Sequence, residues 1–495
     1  MKRVFKAGAA LLGALLLLVG VLALNTLRFE GPPPLDTVEL PAPPSVDEGL
    51  AAVHLGEAIQ FQTVTTNPGD PIKGEEGPWL ALQAWLSKTY PLMHGAMTRE
   101  SVDGYSLLYS WPGSDPSADA VVLMSHQDVV PVNPGTEQDW DAPPFAGVIQ
   151  DGYVYGRGAL DTKGSLIGIC EAVEALLATG FEPTRPVYII FGHDEEIVTD
   201  TGARYAFEAL KARGVRAELV VDEGSGVLKP SPFGASALGA INIAEKGWIS
   251  LRLIAHGTGG HSSSPPRNSA TVRLARAIAA LDDEQMPAQL DNETLQPMIQ
   301  GFAAQMPFIQ RMALTNLWLL EDVVAMAFGM EQGPNAMIRT TTAPTMLKGS
   351  AKENVLAQRA EGVVNFRIHP GNNAQDVIEH VTAIADRFGD IDVEVMGEVF
   401  EPAPVSSTDS RGYRVLHSVA SQLADGGPVI PMLQVGLTDS RHAFLIADNV
   451  YRFTPQVSDI NDVSGVHGTN ERVALANVAT MARSYAQIIL AMDTP

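Results

Sequence analysis

Cysteine is almost missing: Cys170 is the single one in 495 residues. No intrachain disulfide can form, and a cysteine-based zinc site is excluded. Cys170 follows Ile167-Gly168-Ile169 in a helical pattern and reads as a small buried hydrophobe. Positive charge is also scarce. Thirty-three Lys and Arg stand against 57 Asp and Glu, a net charge of −24. Such a surface repels phosphate backbones and anionic membranes, which excludes nucleic acid as a partner, and it suits divalent cations. Three catalytic signatures are absent as well: the Gly-x-Ser-x-Gly elbow, the Gly-x-x-x-x-Gly-Lys-Ser/Thr phosphate loop and His-Glu-x-x-His. Gly257-Thr-Gly-Gly260 is glycine-rich, but it lacks the lysine and runs into Pro265-Pro266.

Apolar content is 45% and charged content 18%, the profile of a globular chain with a large core. The N-terminus stands apart. Lys2, Arg3 and Lys6 precede an apolar run from Ala7 to Leu24, long enough for either a signal peptide or a short membrane anchor. Both readings export the body of the protein to a periplasmic or extracellular location, secreted or tethered through residues 7–24. Gly31 to Pro44 is proline-rich and reads as an extended spacer.

From Val46 strands and helices alternate. Asp119–Met124 and Val187–Phe191 read as buried strands, Ser165–Ala178 and Thr201–Arg213 as helices, and Ala217–Val221 as a further strand. The pattern predicts βαβ units and a mostly parallel sheet. Sites in such sheets form beyond the carboxyl ends of strands. His126, Glu195, Glu196 and Asp222 each follow such an end, and Asp161 lies at a turn into a helix. At Lys246 the character changes. Strand, helix, strand, strand, helix and strand follow to about Val399, which suggests an inserted ferredoxin-like α+β domain. Within it, residues 283–333 read as a helical insertion and Ala336–Leu347 as a strand. The expected organisation is 1–45 signal or anchor with spacer, 46–245 and 399–495 catalytic, and 246–398 inserted.

Two histidines and several carboxylates without cysteine suit zinc, manganese or cobalt. His126, Asp161, Glu195 or Glu196, Asp222 and His467 exceed what one zinc needs and fit two metals sharing a carboxylate. Spacing alone leaves a solvated acidic loop as the competing explanation.

The motifs resolve more. Ser125-His-Gln-Asp-Val-Val-Pro131, Gly156-Arg-Gly-Ala-Leu-Asp-Thr-Lys-Gly164, Gly192-His-Asp-Glu-Glu196, Gly260-His-Ser-Ser263, Asn365-Phe-Arg-Ile-His-Pro-Gly371, Thr438-Asp-Ser-Arg441 and Val466-His-Gly-Thr-Asn-Glu471 occur in order. The chain resembles the aminoacylase / carboxypeptidase S family of dinuclear-zinc peptidases over roughly residues 46–495. Arg339-Thr-Thr-Thr-Ala343 and the insertion before it are similar to the branch holding carboxypeptidase S and the N-fatty-acyl-amino-acid enzymes.

The resemblance implies an α/β zinc-peptidase catalytic domain with an inserted lid and dimerisation domain, and two zinc ions per chain, with cobalt or manganese as alternatives. Asp161 would bridge them, with Glu196 and His467 on one side and His126 and Asp222 on the other. Asp128 would fix the His126 imidazole. Glu195 would be the general base. His261 would stabilise the oxyanion, and Asn354 and Arg367 would bind substrate, Arg367 through a free carboxylate. Asp439 and Arg441 fall in a motif near the substrate pocket. The implied activity is hydrolysis of peptides or N-acyl amino acids with a free carboxylate, by a protein able to form a homodimer through its lid. A non-catalytic metal- or ligand-binding protein that kept the fold is the competing class.

Overall fold

The computed structural model describes residues 2–66, 72, 74, 76–197, 201–232, 236–290, 292, 295–463 and 465–494, with the side chains of 2–4 outside the description. Residues 291, 293 and 294 of the expected helical insertion lie outside it. The chain divides into two compact units: 1–33, 244–405 and 433–437 form one, and 34–243, 406–432 and 438–495 the other. The N-terminal helix thus groups with the inserted domain, whereas the sequence pattern set it apart.

The second, larger unit is built on an eight-stranded sheet. Its order is Thr98–Val102, Ser106–Trp111, Val187–Gly192, Ala120–His126, Ala217–Leu228, Val450–Ser458, Leu238–Glu245 and Val429–Gln434. Val187–Gly192, Ala120–His126, Ala217–Leu228 and Val450–Ser458 run parallel; Ser106–Trp111 pairs antiparallel with both Val187–Gly192 and Thr98–Val102. Ala120–His126 is buried at every position. Its side chains alternate between two apolar layers, as the two-residue period of a strand requires. Val121 and Leu123 pack with helices Glu48–Ile59, Lys163–Ala178 and Leu475–Asp493. Val122 and Met124 pack with helix Gly202–Ala212 on the other face.

Two expectations for this unit are corrected. The strand expected to end at Val221 runs on to Leu228, because Val450–Ser458 continues to pair with it beyond the end of Ala120–His126. The proline-rich stretch is no free spacer. Ser418 Oγ takes the N–H of Val38, Gln487 donates to the Pro41 carbonyl, and Leu35, Val38 and Leu40 pack on the core.

The other unit holds a four-stranded antiparallel sheet in the order Thr341–Lys348, Arg359–Ile368, Gly247–His256, Ile391–Phe400. Helices Ala270–Asp283 and Ala374–Ala385 cover one face. With the connections β-α-β-β-α-β, this is the ferredoxin-like arrangement. The strand expected from Ala336 begins only at Thr341, because Gln332–Ile338 is helical. Pro334 is tolerated in its first turn. The buried Lys246 ammonium donates to the carbonyls of Ala336 and Arg339 where that helix ends.

Candidate active site

His126 is the last residue of its strand and pairs in register with Gly192, the last residue of the neighbouring one. That pairing brings the His126 side chain level with the turn His193–Glu196. Asp194 and His193 shape the turn. The Asp194 carboxylate accepts N–H groups from Thr201 and Gly202 and so caps helix Gly202–Ala212. His193 Nδ1 bonds Ser106 Oγ at 2.7 Å. A β-carbon at Gly202 would strike all three of these side chains, so only glycine lets the helix start there.

Asp128 holds the same turn from the other side. Its carboxylate accepts the N–H groups of Glu195 at 3.3 Å and Glu196 at 3.1 Å, and the Thr65 hydroxyl at 3.0 Å. Burial pushes the Asp128 pKa up, but these bonds and His126 win, and it lies below the ordinary value. His126 Nδ1 bonds the Asp128 backbone carbonyl at 2.9 Å, which leaves Nε2 for the site.

Asp161 lies between the two histidines. Its Oδ1 is 3.0 Å from His126 Nε2, and its Oδ2 is 2.9 Å from His467 Nε2. His467 Nε2 is also 3.1 Å from Glu196 Oε2. His467 is non-glycine yet adopts φ of 57°, a strained conformation of the kind held at functional sites. On the far side of His126, Glu223 Oε1 is 3.5 Å and Glu195 Oε2 3.9 Å from Nε2.

Asp222, the sequence-expected residue on this edge, is placed differently. Its carboxylate accepts the N–H of Ser440 at 2.9 Å and of Glu223. Adjacent strand residues point to opposite faces, so only one of the pair can face His126, and it is Glu223.

The electrostatics call for a cation. Asp161, Glu195, Glu196 and Glu223 crowd around two imidazoles. Burial first, and then Asp161, push Glu196 up to about 7 and Glu223 up to about 8. Burial and Glu223 push Glu195 well above the carboxylate range. Asp161 and Glu196 raise His467 to about 10. Burial opposes protonation of His126, yet Glu223 and its other acidic neighbours hold its pKa high. Glu196 Oε1 is buried without a hydrogen-bond partner among the described residues. Two ligand sets are close enough to hold an ion: His126, Asp161 and Glu196, and His126, Glu195 and Glu223. This nitrogen and oxygen donor set fits zinc, manganese or cobalt.

Glu471 is a residue whose role sequence reasoning missed. It is fully buried, and its carboxylate accepts the N–H groups of Gly158, Leu160 and Asp161 and pairs with Arg157 at 2.6 Å. It thereby ties the loop bearing Asp161 to the loop bearing His467. Its one signal in the sequence was its place in Val466–Glu471, opposite an arginine in another motif. Asp439 is buried, and a β-carbon at Gly192 would collide with its carboxylate.

His261, Asn354 and Arg367 lie in the unit with the antiparallel sheet. Gly260–His261 pairs with Val355–Leu356, and Ser262 N–H donates to the Asn354 carbonyl, so His261 and Asn354 are neighbours. His261 is exposed, and its Nδ1 accepts the Ser263 N–H at 3.1 Å. The Arg367 guanidinium stacks on the Trp248 ring at 4.2 Å.

Residues 122–491 match peptidase family M20/M25/M40. The chain is 34% identical over 490 residues to "Probable carboxypeptidase S-like 2" of Dictyostelium discoideum, covering 97% of this chain and 92% of that protein. It is 36% identical over 415 residues to "N-fatty-acyl-amino acid synthase/hydrolase PM20D1" of Xenopus tropicalis, covering 83% and 80%. The fold is similar to that of the M20 family metallo-carboxypeptidase Sso-CP2 from Sulfolobus solfataricus, with TM-score 0.64, 18% identity, and 89% and 98% coverage. Fold and relatives together define a hydrolase of the metallopeptidase class. The chain belongs to peptidase family M20/M25/M40.

Proposed function

We propose that this protein is an exported hydrolase holding two metal ions, which cleaves the amide bond of N-acyl amino acids or small peptides carrying a free carboxylate. The observation that carries it is Asp161, which offers one carboxylate oxygen to the side of each histidine. His126, Asp161 and Glu223 would hold one ion, with Glu223 in the place first given to Asp222, and Asp161, Glu196 and His467 would hold the other. Zinc would suit this donor set, with cobalt or manganese able to replace it.

When bound, the metal pair supplies Lewis-acid polarisation of the scissile carbonyl and of the attacking water. Glu195 takes the proton from that water as oxygen bonds to the carbonyl carbon. It then delivers the proton to the amide nitrogen as the C–N bond breaks, releasing a carboxylic acid and an amine. Its pKa, held high by burial and Glu223, suits a group that must both accept and return a proton. Asp128 keeps Glu195 and Glu196 in place through their backbones. Asn354 and Arg367 bind substrate, and Arg367, preset by stacking on Trp248, takes its free carboxylate. His261 stabilises the oxyanion, a role that rests on the Gly260–Ser263 motif. The relatives' names favour N-fatty-acyl amino acids and carboxypeptidase substrates, which share an amide next to a carboxylate-bearing residue. The sheet edge Thr341–Lys348, with Met346 and Leu347 61% and 66% exposed, supports a homodimer through this unit.

The test is a screen of N-acyl amino acids, dipeptides and their carboxamides against metal-loaded protein. Hydrolysis of free-carboxylate substrates, lost in the carboxamides, supports the reading. A protein that binds two metals and hydrolyses none of them is instead a binding protein on this fold.

A further inference from the structure

Helix Leu317–Gly329 reads Leu-Trp-Leu-Leu-Glu-Asp-Val-Val-Ala-Met-Ala-Phe-Gly, and Val324 is its sole fully buried residue. A helix this apolar is normally buried all round. Here Leu319, Val323, Met326 and the following Met330 are 44%, 57%, 72% and 81% exposed. Their spacing of four, three and four residues makes one continuous stripe. Trp318 is 64% exposed beside it, and Ile309 on the preceding helix Phe308–Leu314 is 69% exposed. Asp322 is the exposed acid of this helix.

A second feature says what covers the stripe. The N-terminal helix Lys2–Arg28 includes 24 residues, Phe5–Arg28, long and apolar enough to cross a membrane. Its end is docked on these same helices. Asn316 is fully buried; it donates to the Leu22 carbonyl at 3.2 Å and accepts from Asn25 at 3.0 Å. Thr26 and Thr315 hydroxyls meet at 3.1 Å, and Trp318 Nε1 donates to Asn316 Oδ1 at 3.3 Å. The rest of the span, including Phe5, Leu11, Leu16 and Leu17, is exposed. The span therefore leaves the protein at the base of the apolar stripe, with Trp318 at the point of exit, where aromatic residues favour the water–lipid boundary.

We propose that Trp318, Leu319, Val323, Met326 and Met330 form a membrane-seating surface, immersed in the outer leaflet of the bilayer that the N-terminal helix crosses. This rests on the anchored form of the exported protein, and it is independent of the metal chemistry. Binding is driven by apolar burial, so a zwitterionic bilayer suffices and anionic lipid adds nothing to a chain of net charge −24.

The full chain is reconstituted in phosphatidylcholine vesicles, with and without brominated acyl chains, beside the Trp318→Phe variant. We expect brominated lipid to quench an emission component that Trp318→Phe lacks. Labels on single cysteines at Leu319, Val323 and Met326 should report an apolar setting, Cys170 being buried and silent. Hydrolysis of a soluble substrate should stay within about twofold in Trp318→Phe, showing that fold and active site persist. Three results would overturn the proposal. One is a Trp318 component with no quenching and water-exposed emission. Another is shielding of the labels equally in lipid-free dimers, which would mean a second copy covers the stripe. The third is a mature chain whose intact mass shows the N-terminal helix removed.

Discussion

The carboxylate of Glu471 accepts the backbone N–H of Asp161 at 3.1 Å across 310 positions of sequence. The same carboxylate takes the N–H of Leu160 at 2.8 Å and the Arg157 guanidinium, so it sets where the central carboxylate of the site can stand. Glu471→Ala would leave Arg157, 3% exposed, as an uncompensated buried charge. Removing one partner of a buried pair costs about 3–5 kcal/mol. The expected outcome is a large drop in the denaturant midpoint. In the milder Glu471→Gln the expected outcome is a lower metal content per chain. Full metal content and full activity in Glu471→Gln would remove the positioning role.

Asp222 and Glu223 separate cleanly by variant. Glu223→Gln should lose one of two metals, read by elemental analysis, and lose turnover by at least about 100-fold, the scale of a disrupted site. Asp222→Asn should keep both metals, because its carboxylate binds the Ser440 and Glu223 backbones. Its expected cost is about 1 kcal/mol of stability, the net worth of such hydrogen bonds. The reverse pattern would return Asp222 to the metal.

Chelation should destabilise the catalytic unit. Four carboxylates then face one another with two histidines as the compensating groups. Restoring zinc at about 100 times its dissociation constant should add about 2.7 kcal/mol per site, seen as a higher melting temperature. An unchanged melting curve on chelation would contradict a metal site here.

His369 predicts an acid-side loss of stability in the other unit. It is fully buried, its Nδ1 accepts the Gly371 N–H, and burial together with Lys246 pushes its pKa from the usual 6.5 down to about 4. Between those values the unfolded chain binds a proton that the folded chain refuses. Stability therefore falls as pH drops from about 6.5 to about 4, by about 3 kcal/mol at about 1.4 kcal/mol per pKa unit, and changes no further below. His369→Gln should lack this loss, so the stability gap between it and wild type should change by about 3 kcal/mol across that window in urea titrations of metal-free protein. Parallel curves for the two proteins would rule this out.

Much of this was legible in the sequence because the chemistry follows a simple geometric rule. His126 ends one buried strand, Glu195 and Glu196 follow another, and Asp161 and His467 sit in glycine-bearing turns, so the strand pattern already pointed to one edge of the sheet. Which of Asp222 and Glu223 faces His126 was not legible. It depends on a strand running on past its first partner with irregular pairing near Arg452 and Phe453, where parity cannot be counted from apolar pattern. Glu471 closes the motif Val466–Glu471, but nothing local in the sequence tells that it is buried against Arg157. Ala336–Ile338, the last turn of the helix Gln332–Ile338, reads as the start of a strand because so few residues carry no clear period. The strap of residues 34–44 against the core was hidden by its prolines, which look alike in a free linker and a docked one.

The most direct test of the account is Glu195→Gln. The carboxylate is assigned to the proton and not to a metal, so the variant should retain two metals per chain and substrate affinity while kcat falls by about 10³-fold or more. Turnover near wild type, or loss of a metal together with activity, would contradict it.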